Sequence, residues 1–205
     1  MNNKKILAIM SVLAFSAPLA SVADTGWYAG AGVGRTNFSG SELDLEPTRL
    51  ATETYTLNSL DKSSTGWKLF AGKQLNENWA VELAFTKLGK FYFNATITSA
   101  GNAIETGEAK PDCWSLSGVG TLPLGNNFSL LGKAGICHWA DHPFAQEAGV
   151  PYILESTGDS LTYGVGAKYD FTDNLGVRAE WERFEKVVHN RASADLLSIS
   201  LQYGF

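Results

Sequence analysis

The chain has 205 residues, 18% of them charged and 12% aromatic, with 21 glycines and a formal net charge of −5. This composition argues against a disordered chain, which needs high charge and few aromatic residues, and against a helical bundle, because glycine and aromatic residues are poor helix formers. The mean hydropathy of −0.08 excludes a polytopic helical membrane protein. A membrane protein built of strands remains open, because its lumen-facing residues dilute its hydropathy.

Residues 1–23 have the three parts of a cleaved signal peptide. Lys4 and Lys5 form a basic start, residues 6–15 form an apolar run, and small residues at 21–23 precede the expected cut. The apolar run is too short to span a membrane. We therefore predict cleavage after Ala23 and a single barrel domain over residues 24–205. Cleavage removes two lysines and no acid, so the net charge moves from −5 to −7.

Eight segments of the mature chain alternate apolar and polar residues with period two, which predicts β-strands. They are residues 27–37, 65–75, 79–88, 113–122, 128–139, 161–171, 175–184 and 195–205. Three connections are tight and rich in turn residues, at 76–78, 124–127 and 172–174. The other four are longer, at 38–64, 89–112, 140–159 and 185–194. Short turns alternating with longer loops are typical of an outer-membrane barrel.

The two faces of each segment distinguish a barrel from a secreted β-sandwich, which also has short alternating strands. The last segment shows Leu197, Ile199 and Leu201 on one face and serine, glutamine and glycine on the other. Polar faces that combine glycines with charges of both signs suit a narrow lumen, where side chains interlock. We therefore predict an all-β fold: an eight-stranded antiparallel up-and-down transmembrane β-barrel, acting as a monomer.

The aromatic residues are expected to form one girdle at each membrane interface. Strands that run up and down from a periplasmic N-terminus separate two sets. The periplasmic set is Trp27, Trp79, Phe171, Tyr203 and Phe205, and the outer set is Trp67, Trp114, Tyr163 and Trp181.

Four stretches resemble the transmembrane domain family of outer membrane protein A. They are residues 72–89, which end in Leu-Gly, residues 166–181, residues 26–32 and the alternating terminal strand. The resemblance implies periplasmic termini and a terminal strand read by the barrel-assembly machinery through Leu201, Tyr203 and Phe205. The chain ends with the barrel, so it is equally similar to barrel-only proteins such as outer membrane protein X, and we expect no cell-wall tether.

Seven charged residues are predicted to face the lumen, where a buried charge persists only if it is paired. They are Lys68, Glu82, Lys133, Lys168, Arg178, Glu180 and Glu182. In the resembling family, a lumen glutamate and arginine form a salt-bridge gate with a lysine and a second glutamate. The resemblance implies this role for Glu82 and Arg178, with Lys133 as the alternate partner; Lys168 departs from the family pattern, which has an acid there. We assign five residues to the candidate gate: Glu82, Arg178, Lys133, Lys168 and Glu180. A static filling of the lumen and a gated path for small solutes both remain open.

Cys113 and Cys137 are the two cysteines of the chain. If the turn between their strands centres near Gly125, they lie directly opposite each other on one face of a hairpin. Cβ atoms of opposed residues approach to disulfide distance, and secretion favours oxidation, so we predict a disulfide rather than two free thiols. A shift of one residue in the turn would place them on opposite faces.

The four loops carry charges of −3, −1, −4 and +1, which together equal the charge of the mature chain. Acidic loops repel nucleic acid and attract divalent cations or basic partners. The alternative is that the charge reflects only the polar composition that exposed connections have by default. In the second loop, residues 91–97 alternate in a way that predicts an extension of the third strand above the membrane, with an edge for pairing.

Two chemical readings of the residues around His138 are weak. Asp141 and His142 are too loosely spaced for a zinc site, and no serine accompanies His138 as it would in a lipid-modifying outer-membrane enzyme. We therefore expect no enzyme activity, cofactor or metal.

The predicted function is structural support of the envelope, with loops for adhesion or recognition; a narrow gated channel is the alternative. The expected partners are outer-membrane lipids and lipopolysaccharide, the barrel-assembly machinery, and host-surface or phage ligands at the loops.

Overall fold

The computed structural model describes residues 26–39, 55–97, 103–141, 144–147, 150–153, 156–188 and 192–205. The predicted signal peptide lies outside these residues. No helix within the described ranges has the length and hydropathy needed to cross a membrane. The strands are β1 (Trp27–Ser39), β2 (Tyr55–Asp61), β3 (Ser63–Gln74), β4 (Trp79–Lys87), β5 (Phe91–Ile97), β6 (Ala103–Ala109), β7 (Asp112–Gly125), β8 (Phe128–Asp141), β9 (Phe144–Glu147), β10 (Val150–Ile153), β11 (Ser156–Asp170), β12 (Leu175–Val188) and β13 (Ala192–Gly204).

Eight strands form a closed antiparallel barrel in the order β1-β13-β12-β11-β8-β7-β4-β3. Pairing of the first strand with the last, with Ala31 opposite Leu201, closes the wall. Each of the eight predicted segments coincides with one barrel strand, so the predicted fold is confirmed. The tight β7–β8 turn places Asn126 and Asn127 at φ 51° and 66°, a left-handed conformation that asparagine tolerates and that matches the twist of a hairpin.

Five further strands form a second sheet in the order β10-β9-β6-β5-β2. Each continues a barrel strand after a break of one to three residues: β2 leads into β3, β4 into β5, β6 into β7, β8 into β9 and β10 into β11. The neighbour order is the same in both sheets, so five of the eight wall strands continue past the barrel. We call this side the loop end and the side of the tight turns the turn end.

The prediction of longer loops at this end was therefore incomplete, since three of the four contain strands. The predicted strand at 91–97 is confirmed as β5. The predicted free edge is wrong, because β5 pairs with β2 on one side and with β6 on the other. The other extensions were missed because they lack the sustained apolar face from which the barrel strands were read.

The outer face of the barrel is largely apolar, and its buried charged residues all lie on the inner face. Ile199 on the outer face is 64% exposed, whereas Glu82 on the inner face is 1% exposed. A β-sandwich would bury the apolar face instead. The outward aromatic rings also pack in groups near the two ends, with Trp67, Phe85 and Trp114 in contact toward the loop end and Tyr203 against Phe205 at the turn end.

Candidate functional site

A neutral set of six charged side chains fills the middle of the lumen. It contains three cations and three anions, each at most 7% exposed: Lys68, Lys133, Arg178, Glu82, Glu180 and Glu182. Charges at this burial persist only when they are paired and hydrogen-bonded.

The six charges form a closed ring in which each contacts two of opposite sign, here called the charge ring. Arg178 donates from Nη1 to Glu82 Oε2 at 2.7 Å and from Nη2 to Glu180 Oε1 at 2.6 Å. Lys68 bridges Glu180 and Glu182. Lys133 completes the ring, with Nζ 2.5 Å from Glu182 Oε1 and 3.2 Å from Glu82 Oε1.

Strand periodicity and glycines on the neighbouring strand position the ring. Arg178, Glu180 and Glu182 are spaced two apart on β12, so their side chains all enter the lumen. On β11, Gly166 lies opposite Glu180 and Gly164 lies opposite Glu182. A Cβ at Gly166 would lie 2.7 Å from Glu180 Cγ, so a side chain there would displace that glutamate.

An aromatic layer supports the charge ring on the side of the turn end. Tyr28 donates from its hydroxyl to Glu82 Oε2 at 3.1 Å. The Phe70 ring lies 4.7 Å from the Arg178 guanidinium carbon and 5.5 Å from Lys68 Nζ, within the range of a cation–π interaction. Both rings belong to an apolar cluster with Ala80, Ala84, Val119 and Leu131.

A second apolar cluster closes the lumen on the other side of the charge ring. We call it the loop-end cluster; it consists of Phe38, Leu88, Cys113, Cys137, Trp139, Phe184, Val187, Ala192, Ala194 and Leu196. Its members are at most 4% exposed. They come from β1, β7, β8, β12 and β13 and from the residue after β4, so they meet only when the wall is closed. The charge ring thus lies between two apolar layers.

The structure brings together four of the five residues assigned to the candidate gate. Glu82, Arg178, Lys133 and Glu180 lie in the charge ring, but Lys168 does not: its Nζ pairs with Asp170 at 2.9 Å, in a partly exposed site near the turn end. Lys68 and Glu182 are the other two members of the ring. Both were predicted to face inward but were not assigned to the gate. The signal for them was present, because they share the inward parity of Phe70 and of Glu180.

The predicted disulfide is present, but its predicted geometry is wrong. Cys113 lies opposite Trp139, and Cys137 lies opposite Ser115. The cysteines are therefore diagonal neighbours on the lumen face, bonded with a Cα–Cα distance of 5.8 Å. The cause is the position of the two-residue turn, which lies at Asn126 and Asn127 and not at the expected centre, Gly125. An irregularity between Pro123 and Gly125 then shifts the register so that both cysteines still lie on the same face.

The remaining sequence candidates lie on the outer face. His138 Nδ1 is 2.8 Å from Asp159 Oδ1, with both side chains largely exposed. His142 and the Asp141 side chain lie outside the description, and the described residues contain no group of three potential metal ligands. Leu201, Tyr203 and Phe205, the predicted assembly signal, project outward from the terminal strand region.

Solved structures of outer-membrane barrels share this fold. Ail of Yersinia pestis, in complex with the heparin analogue sucrose octasulfate, is 16% identical with a TM-score of 0.50 over 87% of this chain and 99% of its own. Neisserial surface protein A is 13% identical with a TM-score of 0.53 over 88% and 97%. OprG from Pseudomonas aeruginosa is 11% identical with a TM-score of 0.50 over 89% and 98%.

At these identities the solved structures establish the fold alone. A search of curated proteins finds no match. The family model of the outer membrane protein beta-barrel domain matches residues 6–205, which is nearly the whole chain. Together with the closed eight-stranded wall and its apolar outer face, this match shows that the chain belongs to the outer membrane protein β-barrel family.

Proposed function

We propose that this barrel supports the outer membrane and acts by recognition at its loop end, with no catalytic role. The observation that carries the proposal is the filled lumen, in which a closed charge ring lies between two apolar layers. A solute would have to break buried ion pairs and part an apolar cluster to pass. The surface beyond the membrane is then the part of the molecule left for function, with the loop end outside the cell and both termini in the periplasm.

The extension of the wall supports a recognition role. Five strands continue into the second sheet, whose edge strands are β2 and β10. An edge strand offers unpaired backbone donors and acceptors to an extended partner segment. The sheet therefore supplies an ordered platform at a place where membrane support alone requires only short turns.

Charge favours a basic partner at this platform. The four connections at the loop end carry the whole mature net charge of −7. The Ail structure holds a heparin analogue, which is a polyanion, and acidic loops would repel such a ligand. We propose instead that the loops bind a basic segment of a host-surface or phage protein, strongest at low ionic strength.

The test is binding of an oligolysine peptide, a polycation, to folded protein in neutral lipid vesicles. Heparin, a polyanion, is the probe of opposite charge. We expect salt-sensitive binding of oligolysine, none of heparin, and a clear loss in the variant Glu42→Gln/Asp44→Asn, which removes two negative charges. The matched control, Glu77→Gln/Asp173→Asn, removes acids from two turns at the other end and leaves binding unchanged. Equal binding by the two variants, or preferred binding of heparin, contradicts the proposal.

A gated small-solute path is the second candidate, favoured by the sharing of carboxylates in the ring. Glu82 contacts both Arg178 and Lys133, so it can exchange partners without leaving a charge unpaired. If the ring gates, channel recordings of the wild type show discrete openings, and substitution of Glu82 or Arg178 changes their frequency. The loop-end cluster stands above the ring and argues for the first candidate.

A further inference from the structure

The Cys113–Cys137 disulfide lies inside the lumen, at a place that no redox partner can enter. Both cysteines are 0% exposed and belong to the loop-end cluster, together with Trp139 and Phe184. The charge ring and the aromatic layer of Tyr28 and Phe70 lie on the turn-end side of this cluster.

The cysteines themselves need only one hairpin in order to meet. They are 24 residues apart on β7 and β8, which are consecutive in the chain and joined by a two-residue turn at Asn126 and Asn127. Closing so short a loop costs little entropy. The buried cluster to which the cysteines belong, in contrast, includes Phe38 of β1 and Leu196 of β13, the two strands whose pairing closes the barrel.

We propose that a disulfide-bearing oxidant makes this disulfide on the β7–β8 hairpin before the barrel closes, and that closure then seals it against thiols from either end. This places an oxidation step between export of the chain and completion of the barrel. The inference rests on enclosure of the sulfurs and is independent of the recognition proposed for the loops.

The chemistry requires access at two moments. The thiolate of one cysteine attacks a sulfur of the oxidant's disulfide, forming a mixed disulfide and releasing one oxidant thiolate. The thiolate of the second cysteine then attacks the first cysteine's sulfur, which forms the Cys113–Cys137 bond and releases the oxidant as a dithiol. Two electrons pass from the chain to the oxidant, and the two thiol protons are taken up by the reduced oxidant. The mixed disulfide cannot fit within a closed loop-end cluster.

The test compares oxidation before and after closure of the mature chain. The reduced chain is oxidised with glutathione disulfide either in urea or after folding into detergent micelles, and free thiols are counted by maleimide–polyethylene glycol after unfolding. We expect oxidation of the folded barrel to be slower by at least about a hundredfold, because it waits for opening of the cluster. Comparable rates overturn the proposal.

Two controls separate enclosure from other causes. In Cys113→Ala/Cys137→Ala/Asp173→Cys, the single thiol lies in an exposed turn and reacts readily in the folded barrel, which shows that the reagent reaches the protein. If the reduced chain does not fold until it is oxidised, that result also supports oxidation before closure of the barrel. Independently, the intact folded barrel keeps its disulfide in dithiothreitol while the unfolded chain loses it; equally fast loss from both overturns the inference.

Discussion

Removal of one carboxylate from the charge ring is expected to destabilise the barrel far more than removal of a charge elsewhere. Glu82 is 1% exposed and accepts from Arg178 at 2.7 Å, Lys133 at 3.2 Å and Tyr28 at 3.1 Å. Glu82→Gln leaves three cations facing two anions. Breaking a buried pair by removing one partner costs about 3–5 kcal/mol of unfolding free energy, and the retained amide oxygen favours the lower end of that range.

Two further variants make the measurement specific. Lys168→Met breaks the partly exposed pair with Asp170 and should cost at most about 1 kcal/mol. Glu82→Gln/Lys133→Met returns the ring to neutrality and should recover part of the loss, because a charge-balanced lumen leaves no unpaired cation.

The assay is guanidinium unfolding of the folded barrel in lipid vesicles, followed by tryptophan fluorescence and by the mobility of unheated samples on a gel. If Glu82→Gln costs no more than Lys168→Met, the ring is not the stabilising network described here. If the double variant is less stable than Glu82→Gln, the reasoning from charge balance fails.

Two other predictions concern packing and assembly. Gly135→Ala should lower the free energy of unfolding by about 1–3 kcal/mol, because its Cβ would lie 2.1 Å from the Leu116 carbonyl oxygen. Gly132→Ala on the same strand should be tolerated, because its Cβ would meet nothing within 4 Å. The unfolding midpoints of the two variants test this. Phe205→Ala should reduce the amount of folded barrel in cells, measured by gel mobility, while leaving refolding in vitro unchanged, because the terminal residue is proposed to act through the assembly machinery. Phe171→Ala, an exposed aromatic at the same end, is the control, and equal losses in both would contradict an assembly signal.

The sequence sufficed to predict the barrel because lipid imposes a strict rule on every strand. Outward positions within the lipid-facing band must be apolar, so period-two alternation persisted over all eight segments and placed Glu82, Arg178 and Glu180 correctly on the lumen side. Parity also predicted Lys68 and Glu182 there. Alternation shows which face of the wall a side chain occupies, but not how far along the barrel axis it lies. Lys168 was assigned to the lumen face, yet it lies near the turn end beside Asp170.

The errors arose where this rule does not apply. Strands beyond the membrane need no continuous apolar face, so β2, β6, β9 and β10 carried no readable pattern. The register of β7 and β8 depended on an irregularity between Pro123 and Gly125, which alternation cannot reveal. The disulfide was nevertheless predicted, because diagonal and directly opposed cysteines share the same face.

The central claim is that the lumen is sealed, and electrical recording tests it most directly. The folded wild-type protein is inserted into a planar lipid bilayer, and its insertion is verified by the mobility shift of unheated samples. The account predicts a flat baseline, because the charge ring and the loop-end cluster together leave no path for a hydrated ion. Discrete, repeated conductance steps from the wild-type protein would contradict it and would move the function from the loops to the lumen.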